Sequence, residues 1–307
     1  QAGVNYAVTK ATSELSGLPA PYDRDALAAI QQRFSEFGLT LLGLEGDQFD
    51  MSRIKLGAAG RDDDLERYRR MLANMGELGL DLLCYNFMAR PPGQSHDWSR
   101  TKTDVPTRGG ALTSEFRLED VPGSKSSPRA SMSAKCIWDH YEYFLHAVID
   151  SAEAAGVRMA LHPDDPPIPM LSGVGRVFHE AEAFHQAYRL APLPANAVTF
   201  CQANFMLMAG NAVEHARAFA TQGRIAFVHW RDVAGSAHTF HETFHDAGPS
   251  DMAGWIDLYN ELGFDGPIRV DHAPLMHGEP NPWMPGYGTL GRLLAFMYLR
   301  GVLDAKT

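Results

Sequence analysis

The sequence contains 307 residues, of which 45% are hydrophobic and 21% are charged, and its formal net charge is −10. Such a composition is that of a globular protein, and the length suits a single α/β barrel of about 250 residues or more. The acidic balance argues against a nucleic-acid partner, which would require a basic surface. Neither a signal peptide nor a membrane-spanning segment of roughly 20 apolar residues is evident, so we expect a cytoplasmic protein with no membrane partner.

Apolar runs typical of buried strands alternate with amphipathic segments typical of helices along the whole chain. The predicted strands cover residues 4–8, 39–44, 80–87, 159–162, 198–201, 225–229 and 268–271. The predicted helices cover about 23–37, 62–78, 134–155, 174–190, 212–221, 250–262 and 290–303. This alternation predicts consecutive βαβ units around a parallel sheet.

We therefore predict an α/β fold, a (β/α)8 TIM barrel that forms a single catalytic domain over residues 1–307. Seven strands are counted, and the first strand of an eight-stranded barrel would precede Gln1. A doubly wound open sheet is the alternative, but no glycine-rich dinucleotide fingerprint follows an early strand. Residues 88 to about 131 are rich in Pro, Gly, Ser and Arg and too long for an ordinary connection. This insertion is predicted to be a lid or substrate loop, or else a disordered surface excursion.

Four successive predicted strands end in a residue that can bind a metal, namely His162, Cys201, His229 and Asp271. The carboxyl ends of barrel strands open onto one face, where active sites lie. Two imidazoles, a thiolate and a carboxylate make a plausible shell for a divalent ion. Each residue alone has a simpler interpretation, since a lone cysteine is most often a small buried hydrophobe. Their coincidence at four strand ends favours a shared metal site.

Other polar residues follow the same strand ends. His272 adjoins Asp271 and can act as an acid or base, and Arg231 follows His229 with a planar fork suited to a carboxylate. Further candidates are Tyr85 and Asn86 after the third strand, the histidines at 238, 241 and 245, and Tyr287 in a glycine-flanked turn. The histidine-rich stretch is equally compatible with surface histidines that pair with Glu242 and Asp246.

Taken together, these motifs resemble those of the mannonate dehydratase family, which has a xylose-isomerase-like barrel. The matching motifs are IKLG at 54–57, CYNFM at 84–88, DWSRT at 97–101, HPDDPP at 162–167, FVHWRDV at 227–233, FHETFHDAG at 240–248, GFDGPIRVDH at 263–272 and PGYG at 285–288. They extend over nearly the whole chain and keep the family's order and spacing.

The resemblance implies a lyase of hexuronate metabolism that converts D-mannonate to 2-keto-3-deoxygluconate. It implies a divalent metal, most often Mn²⁺ with Fe²⁺, Co²⁺ or Zn²⁺ as alternatives, on the four strand-end ligands already identified. By the same resemblance His272 and Tyr287 transfer protons, and the substrate contacts are Asn86, Asp165, Arg231 and His241. A small-molecule sugar acid and a second copy of the chain, in a homodimer, are the expected partners.

The sequence departs from the family around the substrate. Gln202-Ala203-Asn204-Phe205 replaces smaller residues after the cysteine, Ala273-Pro274 replaces a Gly-Arg pair, and Ile168 replaces a tryptophan. Residues 89–96 also intervene between two motifs that are nearly contiguous in the family. Two alternatives therefore stay open: a sugar or sugar-acid isomerase or epimerase of the same superfamily, and a non-catalytic sugar-acid-binding protein.

Overall fold

A computed structural model describes residues 3–90, 99–122, 132–280 and 286–306. In chain order, its strands are β1 (Tyr6–Thr9), β2 (Thr40–Glu45), β3 (Leu82–Tyr85), β4 (Lys102–Pro106), β5 (Leu112–Arg117), β6 (Arg158–Leu161), β7 (Met170–Leu171), β8 (Val174–Gly175), β9 (Asn196–Cys201), β10 (Ile225–Trp230), β11 (Val233–Ser236), β12 (Thr239–Glu242) and β13 (Ile268–Val270). Its α-helices are α1 (Ser13–Ser16), α2 (Arg24–Glu36), α3 (Ser52–Lys55), α4 (Arg61–Glu77), α5 (Ala134–Ala155), α6 (Ala181–Leu190), α7 (Gln202–Leu207), α8 (Ala212–Thr221), α9 (Met252–Glu261) and α10 (Thr289–Asp304).

The main sheet has seven parallel strands in the order β1-β2-β3-β6-β9-β10-β13. Each strand pairs with its neighbour in that order, and helices connect them, as in a barrel. All seven predicted strands and the α/β barrel class are confirmed. Within the described ranges no eighth strand joins β1 to β13. The main hydrophobic core includes buried residues of both the sheet and the helices, among them Leu83, Leu145, Val198 and Val228.

The register of the last strands aligns their ends. His229 on β10 pairs with Cys201 on β9, and on the other side with Arg269 on β13. Because side chains alternate along a strand, Asp271 projects to the same face as Arg269, two residues earlier. The predicted ligands therefore reach the carboxyl edge of the sheet at similar heights.

The predicted insertion is partly a folded sheet. Strands β4 and β5 combine with β11 and β12 into a four-stranded antiparallel sheet in the order β11-β12-β5-β4. The prediction of a disordered surface excursion is therefore wrong for residues 99–122. Residues 91–98 and 123–131 lie outside the described ranges. This sheet packs against the barrel through a second apolar cluster that includes Phe116, Phe240 and Ile168.

Two predicted boundaries need correction. The helix expected over 174–190 begins only at Ala181, because residues 170–175 form the β7–β8 hairpin. The loop expected over 237–248 contains strand β12, and helix α7 directly after Cys201 was not predicted. Among the described residues, no helix combines the length and the apolar character that crossing a membrane requires.

Candidate metal centre and active site

Three of the four predicted metal ligands come together at the carboxyl edge of the sheet. One ligand atom each from His162, Cys201 and His229 lies within 4.8 Å of the others. His162 follows β6, Cys201 ends β9 and His229 lies near the end of β10, all after strands whose side chains are largely buried. The imidazole rings of His162 and His229 have centroids 5.0 Å apart.

Both imidazoles have a nitrogen available to a metal. His229 is 1% exposed, and neither of its ring nitrogens has a hydrogen-bond partner among the described residues. A buried polar group without a partner requires an explanation, and a ligand that is absent from the structure supplies one. In His162, Nδ1 lies 2.7 Å from the carbonyl oxygen of Pro163, so Nδ1 holds the proton and Nε2 keeps its lone pair. Burial lowers the pKa of both side chains, which favours the neutral form that binds metals.

Asp271, the fourth predicted ligand, lies beside the cluster, with Oδ2 3.6 Å from Nδ1 of His229. Burial opposes its ionisation, but neighbouring His272 and Arg269 hold the pKa of its carboxyl well below the usual range. Asp271 is therefore an anion that can face a cation at this position.

Cys201 is fully buried, and its thiol donates a hydrogen bond of 2.9 Å to Oδ1 of Asn204. Burial raises the pKa of this thiol to about 12, and Arg231, with Nη1 3.7 Å from Sγ, opposes the rise. Without a metal the group is thus a thiol at neutral pH, and a metal would displace the proton. Two neutral imidazoles, one thiol and one carboxylate fit a divalent ion.

A second group of three possible ligands shares His229 with the first. It consists of Glu45, Cys84 and His229, whose ligand atoms also lie within 4.8 Å of one another. Glu45 forms an ion pair with Arg269, and Cys84 accepts a hydrogen bond of 3.2 Å from Thr199. The first group is the better candidate because Asp271 adds an unambiguous anion to it.

The two predicted proton-transfer residues are neighbours. The rings of His272 and Tyr287 have centroids 4.9 Å apart, and the Tyr287 hydroxyl donates to Oδ1 of Asp271 at 3.1 Å. Nδ1 of His272 lies 3.2 Å from Oε1 of Glu242, and this carboxylate can accept a hydrogen bond from Nδ1–H. Nε2 of His272 is then free to take up or release a proton. Glu242 was missed as a site residue, although it belongs to one of the motifs quoted above.

Glu242 belongs to a buried network of two arginines and two carboxylates. Arg231 donates to both oxygens of Glu242, at 2.9 and 2.6 Å, and to Asp165 at 3.0 Å. Arg100 donates to Glu242 at 2.5 Å and to Asp165 at 3.0 Å. Burial opposes ionisation of both carboxyls, but the two guanidiniums hold their pKa values below the usual range. We call this set (Arg100, Asp165, Arg231 and Glu242) the charged network.

The four predicted substrate contacts differ in whether they reach the cavity. Arg231 is 1% exposed and its nitrogens are used by the charged network, by Cys201 and by Asn204, so its contacts argue against binding of a substrate carboxylate. His241 lies on the exposed side of β12, and strand alternation turns its neighbour Glu242 inward instead. Asp165 is bound by both arginines of the network but reaches the cavity wall. Asn86 also lines the cavity and accepts a hydrogen bond of 2.9 Å from Lys55.

A cavity of about 1200 Å³ unites these groups. Its lining includes predicted residues of every class, namely His162, His229, Asp271, His272, Tyr287, Asn86 and Asp165. Cys201 lies next to the cavity, because its ligand atom is within 4.8 Å of those of His162 and His229.

Two of the residues that depart from the family, Gln202 and Phe205, lie in the core and do not line this cavity. Phe205 stacks on Phe200 with ring centroids 4.5 Å apart, and Gln202 accepts a hydrogen bond from Tyr259 at 3.0 Å. Both are fully buried in the core, so they do not narrow the substrate wall as their size suggests. Asn204 lies beside the ligand cluster, since it accepts hydrogen bonds from Cys201 and Arg231.

Comparison with solved structures defines the class of the fold. D-psicose 3-epimerase from Clostridium cellulolyticum, at 12% identity and a TM-score of 0.58, has the same barrel over 99% of this chain and 88% of its own. That likeness concerns the fold alone. Mannonate dehydratase from Streptococcus suis superposes with a TM-score of 0.86 at 28% identity, over 99% of this chain and 88% of that one.

The sequence comparisons identify the family within this class. The model of the D-mannonate dehydratase (UxuA) family matches residues 2–129 and 126–307. Mannonate dehydratase 2 of Halalkalibacterium halodurans is 30% identical over 92% of this chain and 88% of its own length. Mannonate dehydratase of Streptococcus uberis is 33% identical over 92% and 87%, respectively. The chain belongs to the mannonate dehydratase family.

Proposed function

We propose that this protein is a divalent-metal-dependent hydro-lyase that converts D-mannonate to 2-keto-3-deoxygluconate. The observation that carries the proposal is the ligand cluster of His162, Cys201 and His229 beside the His272–Tyr287 pair, at the edge of one cavity. Folding alone requires neither a buried His229 imidazole without a hydrogen-bond partner among the described residues nor a histidine oriented by a buried carboxylate. The choice of D-mannonate as the substrate rests on the names of the relatives given above.

The metal in this proposal is held by His162, Cys201, His229 and Asp271. We propose Mn²⁺, with Fe²⁺, Co²⁺ and Zn²⁺ as the alternatives, because a mixed set of nitrogen, sulfur and oxygen donors suits several divalent ions. When bound, such an ion would stabilise negative charge that develops next to the substrate carboxylate.

The two neighbouring side chains divide the proton transfers. Burial and the carboxylate of Asp271 raise the pKa of Tyr287 well above its ordinary value, so Tyr287 keeps its proton at neutral pH. We assign it the role of general acid because it is a protonated group beside His272. His272, whose Nδ1 faces Glu242, takes the C2 proton on Nε2. The C3 hydroxyl leaves as water with the proton from Tyr287, and the resulting enol becomes the 2-keto acid. Asn86 and Asp165 at the cavity wall are the proposed substrate contacts.

The test is to strip the purified protein of metal, reload it with Mn²⁺ and follow D-mannonate by proton NMR. We expect loss of the mannonate signals and growth of the deoxy-methylene signals of the 2-keto acid. His272→Asn should bind the same amount of Mn²⁺ and form no product. Isomeric products would support the isomerase alternative, and binding without conversion with any of the four metals would support the non-catalytic one.

Three wider features belong to the same proposal. The whole of residues 1–307 acts as one catalytic domain, the protein works in the cytoplasm without nucleic acid, and it assembles as a homodimer. Sedimentation analysis of the metal-loaded protein tests the last of these directly.

A further inference from the structure

A sugar acid needs a cation for its carboxylate, and the three arginines nearest the ligand cluster are already engaged. Arg100 and Arg231 are bound by Asp165 and Glu242 within the charged network. Arg269 forms ion pairs with Glu45 and with Asp271. A substrate carboxylate would have to displace a buried carboxylate from any of them, which would leave that group unpaired at a large cost.

Arg176 is different. It follows the β7–β8 hairpin, lines the same cavity as His162 and Asp271, and is 5% exposed. Among the described residues, its ion pair is with Asp164, a long contact of 3.5 Å between Nη1 and Oδ1, and Nε has no hydrogen-bond partner. The other oxygen of Asp164 accepts the backbone N–H of Phe178 at 2.8 Å, so Asp164 is divided between two donors. A buried guanidinium with unused donors at a cavity wall is suited to an anion.

Further positive charge lies on the same side of the cavity. Lys55 is buried and donates to both oxygens of Asp47, at 2.8 and 2.7 Å, and to Asn86 at 2.9 Å. Asp47, Arg90 and Arg176 all line the same cavity, so this part of its wall combines positive charge with the carboxylate that Lys55 binds.

We propose that Arg176 binds the carboxylate of the sugar-acid substrate. This assignment rests on the proposed function for the identity of the acid, and it replaces Arg231 in that role. The planar fork of Arg176 can donate two parallel hydrogen bonds to one carboxylate, whereas Lys55 and Asn86 fix the polar wall beside it. The site is therefore specific for aldonates over the corresponding neutral amides or alditols.

The experiment compares the binding of D-mannonate and D-mannonamide to the Mn²⁺-loaded protein by calorimetry, in the wild type, Arg176→Lys and Arg176→Gln, each combined with His272→Asn so that no turnover contributes heat. We expect the wild type to prefer the acid, Arg176→Lys to lose about 10-fold in affinity for it, and Arg176→Gln to bind acid and amide alike. Amide binding and Mn²⁺ content should stay unchanged. Arg189→Gln, which alters an exposed pair with Glu182, is the matched control.

An acid preference that persists in Arg176→Gln would overturn the assignment. Should Arg176→Gln fail to fold because Asp164 loses its counter-charge, Arg176→Lys still decides the question, since it keeps that charge and changes only the fork. The binding readout is independent of turnover. A wild type that binds the acid through Arg176 but forms no 2-keto acid would refute the proposed reaction and leave the carboxylate site standing.

Discussion

Replacement of Glu242 by glutamine tests the charged network and the proton-transfer pair together. The carboxylate is fully buried and accepts hydrogen bonds from Arg231 and Arg100, and it lies 3.2 Å from Nδ1 of His272. Glu242→Gln keeps the shape of the side chain but removes its charge, so two buried guanidiniums share Asp165 as the single carboxylate of the network.

The expected cost follows from the number of buried charges left without compensation. Removal of one partner of a buried ion pair typically destabilises a protein by about 3–5 kcal/mol. Glutamine retains one acceptor oxygen, so we expect about 2–4 kcal/mol, a large part of the roughly 5–15 kcal/mol that stabilises a typical domain. The catalytic effect should be a lower kcat with little change in KM, because His272 loses the group that orients it without losing contact with substrate.

Urea denaturation measures the first effect and steady-state kinetics the second. Glu182→Gln is the matched control, because Glu182 pairs with Arg189 where the two side chains are 67% and 64% exposed. An exposed pair contributes about 0–1 kcal/mol. Equal destabilisation by the two substitutions, or an unchanged kcat in Glu242→Gln, would refute the reasoning about the network.

Three further predictions concern the same centre. Because the thiol of Cys201 is protonated without metal, Mn²⁺ binding at pH 7 should release about one proton, and Cys201→Ser should bind weakly without that release, as calorimetry in two buffers will show. Asn204→Ala should raise metal affinity by up to about 10-fold, measured by chelator competition, because the hydrogen bond that its amide accepts from the Cys201 thiol stabilises only the metal-free form; a lower affinity would contradict this role. The folded-state pKa values of Asp165 and Glu242 lie below their unfolded values of about 4. The stability that these carboxylates confer is therefore present above about pH 5 and should fall as the pH drops towards about 3. A free energy of unfolding that stays constant between about pH 5 and pH 3 would argue against this contribution.

The barrel and the convergence of three of the proposed ligands could be predicted from the sequence because both depend on local patterns. Short apolar runs that end in His162, Cys201 and His229 predict buried parallel strands with ligands at one edge, and parallel pairing then aligns the ends. Helix α5 has the bounds that the sequence predicts, and in the structure Ser133 caps its first turn and Gly156 ends it.

The contacts between side chains within the site could not be predicted from local sequence patterns. The spacing of His241 and Glu242 does not tell which of them faces the cavity, since a shift of one residue in the register of β12 reverses the two. Arg231 has the chemistry of a carboxylate ligand, but the carboxylates that bind it come from residues 66 positions earlier and 11 positions later. Only the assembled antiparallel sheet brings Arg100 and Glu242 to the barrel.

That sheet explains why part of a long insertion lies beside the cluster of His162, Cys201 and His229. Arg231 contacts Cys201 through Nη1 and Glu242 through Nε and Nη2, so a single guanidinium joins the ligand cluster to the group that orients His272. Arg100, from the insertion, lies against the same carboxylates and 3.4 Å from Nδ1 of His272. A displacement of the antiparallel sheet would therefore change the charges around Cys201 and around His272 at once. If the proposed function holds, metal binding and proton transfer would therefore be coupled through this buried network.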